Sequence, residues 1–263
     1  MLLCDFMYKF ACIALLAVCP SAFGWGNEGH ALIARIAEAQ LTPAARERVA
    51  AILGPGYSLV SIASWADDIR RSRPNTGPWH YIDIPINQAH LDMARDCPKG
   101  ECVVAKIEEF EKDVANPATP PAARREALLF LVHFVSDMHQ PLHSSDNADH
   151  GGNGVPVDFN GRKLNLHSLW DSALLARMGN PDQLEPVWEK DSARHARKWS
   201  KGSVEQWAEQ SHKAAQKVIY KKLPAGNPVV VTAAYEKTAD SVIREQIEKA
   251  GARLAAVLNQ TLQ

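Results

Sequence analysis

The sequence predicts a compact multi-helix single domain, mainly α, with one small β-hairpin. Apolar residues recur at three- and four-residue intervals along most of the chain, the period of one helix face. Cap and breaker residues punctuate those stretches at helix-length spacings. A single pair of short alternating segments flanks Asn160-Gly161, a favoured two-residue hairpin turn. A length of 263 residues, 46% of them hydrophobic, suffices for one sizeable core. Nothing in the composition is disordered, collagenous or coiled-coil, and no internal repeat, linker or low-complexity tract divides the chain.

The elements follow in order. "HALIARIAEAQL" (30–41) has helical spacing, and "TPAARERVAAIL" (42–53) opens on a threonine cap with proline in the first turn and stops at "GPG". "LVSIASWADDIR" (59–70) predicts a third helix, ended by "SRPNTGP". "WHYIDIPI" (79–86) alternates like an extended segment, and residues 101–114 form another amphipathic stretch. "TPPAARREALLFLVHFVSDMHQ" (119–140) predicts a long, mostly buried helix stopped by Pro141. "VPVDF" and "RKLNL" form the hairpin arms. Helices are then expected at 168–177, twice between about 183 and 221, and from about 230 to 260.

The first 24 residues differ in kind. "FACIALLAVC" follows Lys9, and "SAFG" supplies small residues at Ala22 and Gly24, the pattern of a cleaved secretory signal. The rivals are an uncleaved anchor, which needs roughly 20 apolar residues where Pro20 interrupts the run, and a lipoprotein signal at Cys19, for which Val18 and Pro20 are poor neighbours. Residues 1–24 are therefore expected to be a leader, residues 25–263 the working domain, and the location secreted or periplasmic, with no membrane anchor. Cys97 and Cys102, five apart in the polar loop "CPKGEC", then fit a local disulfide in an oxidising compartment. A zinc site is the rival there, but one pair offers few thiolates.

Histidines and aspartates fall in pairs. His133 and Asp137 lie one turn apart on the buried helix, and His167 and Asp171 repeat the arrangement. His143 follows the Pro141 break, while Asp67, Asp68, His80 and Asp83 lie upstream. Imidazole and carboxylate are suitable zinc ligands, although one such pair alone is usually a hydrogen bond. Asp137 sits in an apolar run, "LLFLVHFVSDMHQPLH", that holds no lysine or arginine, and a buried carboxylate needs a cation. A metal ion answers that need. If trimming makes Trp25 the first residue, its amine and carbonyl oxygen could close a chelate ring on an ion, with His30 near enough to join.

Together, "WGNEGH", "SIASWADDIR", "WHYID", "FLVHFVSDMHQPLH", "GGN" and "NLHSLWD", in this order and spacing, resemble the mung-bean-nuclease type of secreted zinc nuclease, the nuclease S1/P1 family. The resemblance spans nearly all of residues 25–263, including "DSVIREQIEKAGARLAAVLN", and a Cys-x4-Cys loop recurs in that family at the place of Cys97 and Cys102. It implies a helical fold like that of zinc-dependent phospholipase C, with three zinc ions at the base of a cleft. By the same resemblance Asp67, His80, His133 and Asp137 hold one ion. Trp25 and His30 hold a second, bridged to the first by Asp137, and His143, His167 and Asp171 hold the third. The family position in "WADD" is Asp67, with Asp68 an outer residue.

The resemblance further implies hydrolysis of single-stranded DNA and RNA to 5′-phosphorylated products, with 3′-nucleotidase activity, by water activated between cations. Arg70 would steady the phosphate beside Asp67 and Asp137; Tyr81 would stack on a base, and Asp83 and Asn153 would touch its edge. His90, His139, His150, His195 and His212 have no ligand counterpart and read as structural or surface residues. A net charge of −1, unchanged by removal of Asp5 and Lys9, argues against a broad basic face. Three dications would add about six positive charges, concentrated in the cleft. Tight duplex binding is not expected, and a monomer is. Shorter loops and a single N-x-Thr sequon at Asn259 suggest a bacterial version. The rivals are a zinc-dependent phospholipase C, sharing metals but not the Arg70, Tyr81 and Asp83 context, and a secreted helical protein with structural zinc.

Overall fold

A computed structural model describes residues 25–263; the leader assigned to residues 1–24 lies outside the described residues. Helix α1 (Asn27–Ala39) is followed by α2 (Pro43–Leu53), whose start is the one the sequence spells. Thr42 accepts from the Ala45 N–H, Pro43 takes the first turn, and Gly54 ends the helix at φ 86°. The helix expected over 59–70 is two short ones, α3 (Leu59–Ile62) and α4 (Trp65–Ile69). The break has a local cause: Asp67 N–H bonds to Ser64 O, and the Ala63 carbonyl turns instead to His133.

Residues 79–86 are only partly extended. Trp79 and His80 close a 3-10 turn (Pro74–His80), held there by Pro74 and Pro78. The stretch after it runs beside residues 143–146, through Ile82 N–H to His143 O at 2.8 Å and Ile86 N–H to Asp146 O at 2.8 Å. Helices α5 (Met93–Asp96) and α6 (Val103–Ala115) flank the Cys97–Cys102 disulfide. The long helix α7 (Pro121–Asp137) is buried at every residue from Ala127 to its end, and a 3-10 turn, Pro141–Ser144, follows.

Strands β1 (Pro156–Phe159) and β2 (Arg162–Asn165) make the expected hairpin, with Asn160 and Gly161 both at positive φ. A third strand, β3 (Val229–Val230), adds in parallel to β1. Two residues are too few to show alternation, so the sequence did not reveal it. Helix α8 (Leu166–Ser168), a π-helical turn (Leu169–Ala173) and α9 (Leu174–Met178) run on as one rod. Then come α10 (Pro181–Trp199), α11 (Val204–Ala214) with its own π turn (Ala215–Tyr220), and α12 (Ala233–Thr261).

The core packs these helices around α7. Phe110, Phe130 and Phe134 stack at centroid distances of 5.0 and 5.2 Å, and Trp79 meets Phe130 edge-on. Each such contact is worth about 0.5–1.5 kcal/mol beyond burial. Helices α1 and α12 cross closely at Gly251, where a Cβ would lie 2.3 Å from Ile36 Cγ2. The consequence for function is placement: α7 delivers His133 and Asp137 from a stretch buried at every residue.

Candidate metal centre

Three groups of donor atoms gather on the floor of one cleft. His30, His133 and Asp137 form the first; Asp67, His80 and His133 the second; His143, His167 and Asp171 the third. Every one of these residues is buried. Asp137 lies at the centre: Oδ2 is 2.8 Å from His80 Nδ1 and 3.1 Å from His133 Nε2, while Oδ1 is 3.4 Å from His30 Nε2. Asp67 Oδ2 lies 3.7 Å from His133 Nε2, and the His30 and His133 rings stack at 4.0 Å.

Backbone carbonyls set the imidazole tautomers. His133 Nδ1–H donates to Ala63 O at 2.7 Å, His143 Nδ1–H to His80 O at 2.8 Å, and His167 Nδ1–H to Gly151 O at 2.7 Å. In the neutral ring each Nε2 is then a lone pair aimed into the site, one that a metal ion would have to free of its proton at His133. His143 Nε2 and His167 Nε2 face one another at 3.1 Å with no proton left to share. His30 Nε2, His80 Nε2, His133 Nε2 and Asp137 Oδ1 are buried without a hydrogen-bond partner among the described residues. Leaving such atoms unpaired costs about 1–3 kcal/mol each, more for the charged one. A cation satisfies all of them, and the negative end of the α7 dipole favours it further.

The electrostatics agree. Burial pulls His30 and His80 below the ordinary imidazole range, and pulls His143 down to about 3, so these rings are neutral. Burial pushes His133 down too, but Asp137 and Asp67 outweigh it and raise the ring to about 9. Burial would raise Asp137, yet the surrounding imidazoles hold it well below the usual carboxylate range. Burial raises Asp171, despite a bond from Gln140. The carboxylates draw whatever positive charge is near, and a metal ion competes directly with the His133 proton.

Trp25 is fully buried beside this floor. Its place is fixed by two glycines. Gly26 N–H donates to Asp171 O at 2.8 Å, and a Cβ on Gly26 would lie 2.3 Å from Ser172 Oγ. A Cβ on Gly29 would lie 2.8 Å from Trp25 Cβ.

Above the floor opens a cleft of about 170 Å³, lined by Arg70, Tyr81, Asp83 and Asn153 together with His80, His143 and His167. Arg70 Nη1 reaches Asp67 Oδ1 at 3.4 Å. Tyr81 is 37% exposed, so its ring is open to a ligand, and its carbonyl is pinned by Val103 N–H at 3.0 Å just beyond the disulfide. Asp83 is pushed up to about 6, by burial first and by Asp146 next. The Asn153 amide is engaged at both ends, donating to His150 O and accepting from Asn165 Nδ2. Asp68 is exposed and belongs to none of the groups.

The sequence reading missed Gln140. Its Nε2–H donates to Asp171 Oδ1 at 2.5 Å while its Oε1 accepts from Leu142 N–H. The one signal was an amide amid the apolar and ligand residues of "HQPLH". Ala63 was missed for a simpler reason: its contribution is backbone.

Fold and site define a class: a mainly helical protein with a candidate polynuclear metal site at the foot of a cleft. Comparison with known proteins narrows it. The chain belongs to the S1/P1 nuclease family, whose model matches residues 25–263. It is 33% identical to nuclease PA3 of a Penicillium species and 32% identical to nuclease P1 of Penicillium citrinum, each over 90% of this chain and 97% of the relative. It is 30% identical to endonuclease 2 of Arabidopsis thaliana, over 94% of this chain and 93% of that protein. Family membership makes the chain a nuclease, a hydrolase of ester bonds. No helix among the described residues is long and apolar enough to cross a membrane.

Proposed function

We propose that this protein is an exported, monomeric, zinc-dependent endonuclease that cuts single-stranded DNA and RNA to 5′-phosphorylated products and also removes 3′-phosphates from nucleotides. The observation that carries this reading is the set of facing imidazole lone pairs and the unpaired Asp137 oxygen beneath a cleft walled by Arg70 and Tyr81.

Asp67, His80, His133 and Asp137 would hold one zinc ion. Trp25 and His30 would hold a second, shared through Asp137, and His143, His167 and Asp171 a third. The donor set fits zinc, which takes imidazole and carboxylate at four-coordinate sites. When bound, zinc supplies Lewis acidity and lowers the pKa of water to near neutrality. The chain's own residues do the rest. Arg70 offers a guanidinium fork to phosphate oxygens, at a distance from Asp67 that keeps it over the floor. Tyr81 stacks on a base, and Asp83 and Asn153 touch its edge. Stacking accepts any base but needs one that is unpaired, so single strands are preferred. Export, to the periplasm or beyond, is supported by the leader pattern and by a family match that begins at Trp25.

The test is a side-by-side assay of the protein beginning at Trp25 on single-stranded DNA, RNA and phosphatidylcholine. Both polynucleotides should be cut to 5′-phosphate ends and the lipid left intact. Asp137→Asn should abolish cutting while the fold, read by circular dichroism, persists. Lipid turnover with inert polynucleotides would overturn the reading in favour of a phospholipase.

A further inference from the structure

His150 has no part in the metal floor, and the sequence sets it aside. Its exposed side chain nevertheless lines the cleft, together with Tyr81, Asp83 and Asn153. No hydrogen bond or ion pair holds its imidazole among the described residues. It lies close enough to act on Asp83, whose carboxyl it draws downward against burial and Asp146.

The backbone beneath it is held firmly. His150 has φ 58°, a left-handed conformation that glycine adopts freely and other residues only at a cost. Glycine does fill the next two positions, with Gly151 at 60° and Gly152 at 84°. Asp146 Oδ1 accepts from Asp149 N–H and Gly151 N–H, at 3.2 and 3.0 Å. Asp149 Oδ1 accepts from Gly152 N–H at 2.8 Å and from the Tyr220 hydroxyl at 3.0 Å, which ties the loop to the π turn after α11. The His150 carbonyl accepts from both the backbone and the side chain of Asn153, at 3.2 and 2.9 Å. Asn153 thus braces the loop as well as lining the cleft, and the loop presents the imidazole of His150 beside it. A strained backbone that is over-determined by its neighbours, carrying an uncommitted side chain at a cleft wall, points to a partner outside the protein.

We propose that His150 is a base-contacting residue, its imidazole N–H paired with the Asp83 carboxylate as a donor and acceptor that together read the edge of the base stacked on Tyr81. This rests on the nuclease reading above. It adds a residue whose loss should weaken the grip on base-bearing substrate and leave the metal floor alone.

The experiment compares the metal-loaded protein beginning at Trp25 with its His150→Gly variant, on a single-stranded oligomer of dC and on an oligomer of equal length built of abasic spacers. Glycine suits the left-handed backbone, so the fold is kept while the side chain goes. The KM for the dC oligomer should rise by about three- to tenfold, the worth of one hydrogen bond, with kcat and bound zinc unchanged. Turnover of the abasic oligomer should not respond. An unchanged KM, or an equal loss on both oligomers, would overturn the base contact. Wild-type protein inert on both would instead overturn the nuclease reading itself.

Discussion

Gln140 shows how much one side chain decides at a buried site. Asp171 is 4% exposed, and burial pushes its carboxyl well above the usual carboxylate range, against the ionised form that binds a cation. The amide N–H of Gln140 opposes that, because a hydrogen bond to the ionised form favours it, and it also fixes which oxygen remains to share a cation with His167 Nε2, 3.3 Å from Oδ2. Gln140→Leu preserves volume roughly but removes the donor and leaves Leu142 N–H without its acceptor. The third site should then bind zinc about 10–100-fold more weakly. On titration with zinc, native mass spectrometry should show the variant stalled at two ions at a free-metal concentration that brings the wild-type protein to three. Equal occupancy in both proteins would mean that Gln140 only supports the turn.

At the scale of elements, Arg253 connects the last helix to the floor. It is 1% exposed on α12, donating to His139 Nε2 at 2.7 Å, to Gln210 Oε1 on α11 at 2.6 Å, and to Trp199 O at the end of α10 at 2.9 Å, with Trp207 beneath its guanidinium. Burial lowers it to about 9. His139 in turn sits in the bend that carries Asp137, Gln140 and His143. Arg253→Leu relieves the desolvation of the cation but strands three acceptors, and the second effect is larger because several groups lose partners at once. The expected loss is about 2–4 kcal/mol, read as a lower urea midpoint with an unchanged slope. Arg253→Lys should rescue little, since one ammonium cannot span three directions. A midpoint that does not move would show that the bend holds itself.

The same scale shows what the sequence could reveal. The helical class, the Thr42 cap, the hairpin at Asn160-Gly161 and the disulfide were legible because each is decided by residues close in the chain. The histidines and aspartates were legible because a carboxylate such as Asp137, in an apolar helix, demands a cation. Three features were not. The break between α3 and α4 serves a carbonyl that His133 needs from 70 residues away. The turn that holds Trp79 and His80 overrides an alternating pattern because prolines fix it. The role proposed for His150 was not legible either, because it rests on a loop conformation that no spacing rule encodes.

For the whole molecule, charge and the terminus proposed at Trp25 meet at the same place. A net charge of −1 gives little general attraction for a polyanion, so positive charge must be focused at the cleft. Cations at the three donor groups would provide it, if the group that holds His30 is complete. His30, His133 and Asp137 leave that group short of ligands, and Trp25 is held close by, through the Gly26 bond to Asp171 and the close contact at Gly29. Only a free amine at residue 25 can serve, because an amide nitrogen has its lone pair delocalised into the carbonyl. An α-amino group, with a pKa near 7.7, gives up its proton to a dication readily. A protein beginning at Trp25 should therefore carry three zinc ions, and one with a methionine before Trp25 should carry fewer and lose most of its cutting. Stability offers a readout independent of activity: each site filled at 100 times its Kd adds about 2.7 kcal/mol, so the gap in Tm between loaded and chelated protein should narrow in the extended form. If the extended protein keeps three ions, full rate and the same gap, the amine is not a ligand and the second site is completed by some other group.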